Sequence, residues 1–168
     1  MHPTETALNT ERLRKIRLLL MDCDGVLTDA RLYFGPTGEE LKVFDVRDGQ
    51  GIVSWHAAGF RSGIISGRNS PIVHVRGEQL GVEFIYQGTK DKLALLNEIV
   101  GIAGVSLEEV AFIGDDVPDL EVMQSVGLPV AVKDAMGVVK EAAFYITKNE
   151  GGRGAVREVI DLLLASKA

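Results

Sequence analysis

Cysteine is almost absent from this chain. Among 168 residues there is one, Cys23, so no internal disulfide can form and the reducing cytosol is the expected compartment. Histidine occurs three times, as His2, His56 and His74, too scattered to form a metal-binding set. Positive charge is in deficit: 18 Lys and Arg stand against 24 Asp and Glu, a formal charge of −6. A nucleic-acid partner needs a basic face, so that class is excluded. No apolar run approaches the roughly 20 residues of a membrane span. The longest near the start, residues 16–21, is interrupted by Arg17. The first fifteen residues hold no apolar leader, which again points to the cytoplasm.

What is present is ordinary globular composition, 46% hydrophobic and 25% charged, in a length that suits a single domain over residues 1–168. Strand-like apolar runs at 17–21, 61–65, 82–86, 110–113 and 129–132, with a weaker sixth at 144–147, alternate with helical patterns. The helical patterns cover 91–102, 118–126, 135–143 and 155–165, and Ser70-Pro71 marks another helix start. Ser106 and Glu109 have the spacing of a capping box. Strands alternating with helices predict a doubly wound α/β fold with a parallel, Rossmann-like sheet. One segment, 30–46, departs from the alternation. Two strand-like pieces around Gly35-Pro36-Thr37-Gly38 predict an inserted β-hairpin.

Ligands of such sheets sit beyond the carboxyl ends of the strands, so the residues following each strand are informative. Asp22 and Asp24 follow the first; Asp115 and Asp116 follow the run at 110–113. A single aspartate there often does no more than cap the next turn. Two such clusters converging on neighbouring strands would repel and shift each other's pKa. A hard divalent cation resolves that conflict, and Mg²⁺ suits a site with few carboxylates plus phosphate oxygens. Alternative motifs fail. Residues 22–29 have glycine at the fourth rather than the sixth position required of an EF-hand, and no P-loop occurs. Gly151-Gly152-Arg153-Gly154 reads as a mobile turn with a weak phosphate-nest signal, and Cys23 as a packing residue.

Taken in order, these loops resemble the motif set of the haloacid dehalogenase superfamily of aspartate-nucleophile phosphotransferases. Asp-Cys-Asp-Gly-Val-Leu-Thr from Asp22 is similar to its first motif, Ser66 to the second, Lys92 to the third, and Gly114–Asp119 to the fourth. Within it, Gly38–Leu41, Val46-Arg47-Asp48-Gly49, Ser66-Gly67-Arg68, Tyr86-Gln87-Gly88 and Gly151–Glu158 resemble the phosphatases of 3-deoxy-D-manno-octulosonate 8-phosphate, many of which carry a longer C-terminal tail.

The resemblance implies roles. Asp22 would be the nucleophile and Asp24 the general acid and base. Ser66 and Lys92 would hold the phosphoryl group. Mg²⁺ would be held by Asp22, the carbonyl of Asp24 and Asp115, with Asp116 supporting the shell and Asp119 fixing the loop. Val46, Arg47, Asp48, Gly49, Arg68 and Arg76 would bind the sugar acid, together with Asp24 and Lys92. An acid at position 24 separates phosphatases and mutases from dehalogenases and transport ATPases, and no segment is long enough for the cap domain of a mutase. The expected product is a sugar acid used in lipopolysaccharide synthesis, and the expected assembly is a homotetramer built through the hairpin. Two rival readings are a phosphatase for a nine-carbon sugar acid, 2-keto-3-deoxynononate 9-phosphate, and a non-catalytic oligomerisation domain.

Overall fold

In the computed structural model, which describes residues 10–168, every strand of the main sheet runs in the same direction. His2 and residues 1–9 of the expected leaderless start lie outside the described residues. β1 (Leu18–Met21) pairs in parallel with β4 (Arg61–Ile65) on one side and β6 (Val110–Gly114) on the other. β5 (Phe84–Tyr86) extends one edge; β7 (Leu128–Ala131) and β8 (Tyr145–Ile146) extend the other, in the order β5-β4-β1-β6-β7-β8. The chain moves outward from β1 to β5, then returns to β6. That reversal places a crevice at the carboxyl ends of β1 and β6.

β1 is Leu-Leu-Leu-Met and wholly buried, as expected of a central strand covered on both faces. The helices α1 (Thr10–Lys15), α2 (Val46–Ala57) and α7 (Ala155–Ala165) pack together, and so do α4 (Lys92–Ala103), α5 (Leu120–Met123) and α6 (Gly137–Ala142). α3 (Pro71–Gln79) starts at proline after Ser70. α4 is opened by the Asp91 carboxylate, which accepts from the Ala94 N–H, and closed by left-handed Gly104. Among the described residues no helix is long and apolar enough to cross a membrane.

The structure revises several boundaries. The hairpin strands are β2 (Tyr33–Gly35) and β3 (Gly38–Leu41), forming a separate two-stranded sheet around Pro36-Thr37. Val46 belongs to α2, not the hairpin, because the Asp45 carboxylate accepts from the Arg47 N–H and begins a helix there. The helix expected over 118–126 is a 3-10 turn (Val117–Asp119) followed by the single turn of α5. The capping box at Ser106 forms, but it opens a 3-10 turn, Leu107–Glu109. α1 had no clear signature in the sequence.

Residues 151–154 also differ from expectation. A Cβ on Gly151 would fall 1.7 Å from the Gly25 carbonyl oxygen, and the Gly152 N–H donates to the Val26 carbonyl at 2.9 Å. The run is clamped against the loop after β1 and is not a free turn. Close backbone approach is the reason for glycine here.

Candidate active site

Leaving β1, the chain turns sharply, and the Cys23 carbonyl accepts from the N–H groups of Val26, Leu27 and Thr28. Cys23 itself is buried, and burial together with Asp24 and Asp22 pushes its thiol pKa up. It packs and does not react. The turn needs Gly25 at φ +91°, and a side chain there would sit 1.9 Å from an Asp115 oxygen. The loops after β1 and β6 are thus pressed together.

Four charged groups meet at that junction. Lys92 Nζ, at the start of α4, lies 3.2 Å from Asp22 Oδ1 and 2.7 Å from Asp119 Oδ1. The other Asp119 oxygen accepts from the N–H groups of Asp115 (2.9 Å) and Asp116 (3.3 Å). Asp119 is fully buried; it ties Lys92 to the loop after β6. Gly114 makes room for it, since a Cβ would meet Asp119 Cβ at 2.7 Å.

The carboxylates of Asp22, Asp115 and Asp119 offer ligand atoms within 4.8 Å of one another. Burial, then Asp119, raises Asp22 to a pKa of about 6 in spite of Lys92. Burial, then Asp22 and Asp119, raises Asp115 to about 8. For Lys92, burial opposes the charge, but Asp22 and Asp119 outweigh it and hold the ammonium above its ordinary pKa. Asp115 Oδ1 is buried with no hydrogen-bond partner. An orphaned carboxylate oxygen facing a second carboxylate fits a hard divalent cation, with Asp22 and Asp115 as donors. Asp119, whose oxygens already accept three bonds, fits a strut better than a ligand.

Asp22, Asp24, Ser66, Arg68, Lys92, Asp115 and Asp116 line one cavity of about 280 Å³. The Ser66 hydroxyl accepts from the Arg68 N–H at 3.3 Å, and Arg68 Nε lies 3.6 Å from Asp24 Oδ2. Asp116 stands at the edge, where its carboxylate accepts from the Val117 N–H at 2.7 Å.

The expected sugar-binding residues at the start of α2 are not among the residues lining this cavity. Val46 is 80% exposed. Arg47 pairs with Asp45 at 2.9 Å. Asp48 is buried, and its carboxylate accepts from the N–H groups of Gly154 (3.3 Å) and Arg157 (2.9 Å). It joins α2 to the start of α7, a structural task that short-range sequence cannot reveal. Gly49 packs against Arg76, with an imagined Cβ 2.5 Å from a guanidinium nitrogen. Arg76 lines a neighbouring depression of about 370 Å³ with Phe44, Val75 and Lys42.

Lys42 was not anticipated from sequence. It follows β3, its side chain is buried, and Nζ lies 2.5 Å from Asp24 Oδ1 and 2.7 Å from Glu39 Oε1. The nearby Glu39 could have hinted at an ion pair, but nothing local indicates Asp24 as a partner.

A family model described as haloacid dehalogenase-like hydrolase matches residues 63–160. The 3-deoxy-D-manno-octulosonate 8-phosphate phosphatase of Yersinia pestis is 45% identical over 157 residues, covering 94% of this chain and 84% of that protein. The enzyme of the same name from Escherichia coli K12 is 45% identical over 93% of this chain and 83% of its own. The crystal structure of the Yersinia pestis phosphatase superposes with a TM-score of 0.92 over 94% of this chain and 85% of that one, again at 45% identity. That of the Moraxella catarrhalis phosphatase, in complex with magnesium, phosphate and KDO, gives 0.91 at 37% identity, over 94% and 91%. Sheet order, the paired aspartate loops and similarity along nearly the whole chain agree: this protein belongs to the haloacid dehalogenase-like hydrolases.

Proposed function

We propose that this chain is a Mg²⁺-dependent phosphatase that hydrolyses 3-deoxy-D-manno-octulosonate 8-phosphate to the free sugar acid and phosphate. The observation that carries the reading is Asp22 just after β1, held 3.2 Å from Lys92 and within 4.8 Å of an oxygen of Asp115, whose Oδ1 has no hydrogen-bond partner. The relatives named for this substrate, one of them solved with magnesium, phosphate and KDO, supply the substrate class and the metal.

Asp22 attacks phosphorus, and the bond from phosphorus to the sugar oxygen breaks. Asp24 gives its proton to that oxygen, so the sugar leaves as an alcohol. A water then attacks the aspartyl phosphate and passes a proton to Asp24, which releases phosphate and restores both side chains. Lys92 orients Asp22 and balances phosphoryl charge, while Ser66 donates a hydrogen bond to a phosphoryl oxygen. Bound Mg²⁺, held by Asp22, Asp115 and the Asp24 carbonyl with Asp116 alongside, supplies the positive charge that lets a carboxylate approach a phosphate dianion. Arg68 lines the same cavity and would pair with the carboxylate of the sugar.

The residues between 30 and 46 serve in this reading as an assembly element of a single cytoplasmic domain. Phe34, Leu41 and Val43 are each more than 60% exposed, and apolar side chains on a two-stranded sheet favour pairing with other copies. A homotetramer is the proposed state.

The test is phosphate release from a panel of phosphosugars with Mg²⁺ and after chelation, with Asp22→Asn as control. The eight-carbon acid phosphate should be the preferred substrate. A preference for the nine-carbon acid corrects the substrate. No release from any member of the panel overturns the reading.

A further inference from the structure

We propose that Lys42 is a positioning residue for Asp24, selecting which of its two carboxylate oxygens handles the proton. The inference rests on the phosphatase reading above and adds a residue to it. Lys42 enters from the hairpin, yet its side chain is withdrawn from solvent and its Nζ contacts Asp24 Oδ1 at 2.5 Å. Glu39, on β3, holds the same ammonium from another side at 2.7 Å. Asp24 Oδ2 is left toward the cavity, with Arg68 Nε 3.6 Å away. A carboxylate on a turn can rotate about its side-chain torsions. One charge-assisted bond to a buried ammonium removes most of that freedom.

Two features make this more than a surface ion pair. Lys42 lines the depression around Arg76 while bonding to Asp24, which lines the catalytic cavity. It also connects the hairpin to the acid and base of the reaction through the Glu39–Lys42–Asp24 chain of contacts. The oxygen not bonded to Lys42 is the one that gives its proton to the leaving sugar and later takes one from water. Without Lys42 the same carboxylate samples orientations from which neither transfer can occur.

The leaving group discriminates this role from a structural one. An alkyl sugar phosphate needs its leaving oxygen protonated, whereas p-nitrophenyl phosphate expels a stabilised phenolate without that proton. kcat/KM reports the steps through the first irreversible one, which contains leaving-group departure. Lys42→Met should lower kcat/KM for the sugar acid phosphate by about 10- to 100-fold, part of the usual span for general acid catalysis. The loss with p-nitrophenyl phosphate should be at least fivefold smaller. In an Asp24→Asn background the same substitution should cost less than about twofold, since its effect runs through Asp24. Glu39→Gln should reproduce the leaving-group signature at smaller amplitude and carries the test if Lys42→Met does not fold, as judged by circular dichroism. Equal losses on both substrates, or an undiminished loss in the Asp24→Asn background, overturn the role of Lys42 and leave the phosphatase reading intact. An unmodified protein inactive on every phosphomonoester overturns both.

Discussion

Two regions of this molecule treat their polar and apolar groups in opposite ways. At the end of β1 and β6 nearly every charge is answered within the chain: Lys92 by Asp22 and Asp119, and Asp119 in turn by two backbone N–H groups. The orphaned Asp115 oxygen is answered by a metal in the proposed function. The hairpin does the reverse. Its polar members Glu39 and Lys42 turn inward, while Phe34, Leu41 and Val43 face solvent. The first region can be complete in one chain apart from a cation; the second has apolar surface that only another molecule could cover. In the proposed function chemistry and assembly fall to different elements, and the Lys42–Asp24 ion pair joins the hairpin to the sheet end.

The sharpest way to break this contrast is at the sheet end. Asp22→Asn should reduce phosphate release by about 10⁴-fold or more, the scale of losing a nucleophile. Retention of a few per cent of activity would mean that the reacting group lies elsewhere. Lys92→Met should lower kcat by about 10²–10³-fold and destabilise the fold by about 3–5 kcal/mol, because it strands a buried carboxylate. Urea unfolding and steady-state kinetics on the same sample separate the two losses.

The hairpin is tested by adding charge where apolar side chains are bare. Phe34→Asp with Val43→Asp should lower the assembly mass seen by light scattering and leave circular dichroism unchanged. If the mass is unaltered, the exposed face does not mediate assembly.

The two smaller effects concern protons. Asp115 at about 8 and Asp22 at about 6 hold protons that a cation must displace. Mg²⁺ affinity should rise as pH rises from 6 to 8, with proton release near neutral pH detectable by calorimetry in two buffers. A flat affinity over that range would remove Asp115 from the ligand set. Asp48 is raised by burial to about 6 from 3.8. Below about pH 4 it is protonated whether folded or not. Between about pH 4 and 6 the folded protein still holds a proton that the unfolded chain has lost, so stability falls across that window and levels off above it. Asp48→Asn retains an acceptor for the α7 N–H groups without that penalty. Its Tm relative to the unmodified protein should therefore climb from pH 4 to 7 by a few degrees. A constant difference would place the proton elsewhere.

Legibility from sequence followed the range of the interactions. The strand at 61–65 and the helix at 155–165 have the predicted bounds because apolar runs and amphipathic period are local signals. The residues after each strand were also readable, since a parallel sheet carries its ligands there whatever else the chain does; Asp22, Asp24, Ser66, Arg68, Lys92, Asp115 and Asp116 all line one cavity. Asp48 is expected at the sugar from the resemblance and from its place at a helix start; its hydrogen bonds to the N–H groups of Gly154 and Arg157, more than a hundred residues away, have no local signal. The segment 118–126 has apolar residues at helical spacing, yet Asp116 and Pro118 start a 3-10 turn that uses up the first residues.

By itself, the sequence determined the alternation of strands and helices, and it pointed to the strand ends where Asp22 and Asp115 meet. These follow from hydrophobic period and from loop composition, both short-range properties. Only the tertiary structure decided how the charges are partnered. It made Asp119 a strut, Asp48 a clasp between helices and Lys42 the neighbour of Asp24. Each depends on groups brought within 3 Å or so by packing, across separations of 18 to 109 residues, and the strength and meaning of a charge are set by its burial and its nearest partner.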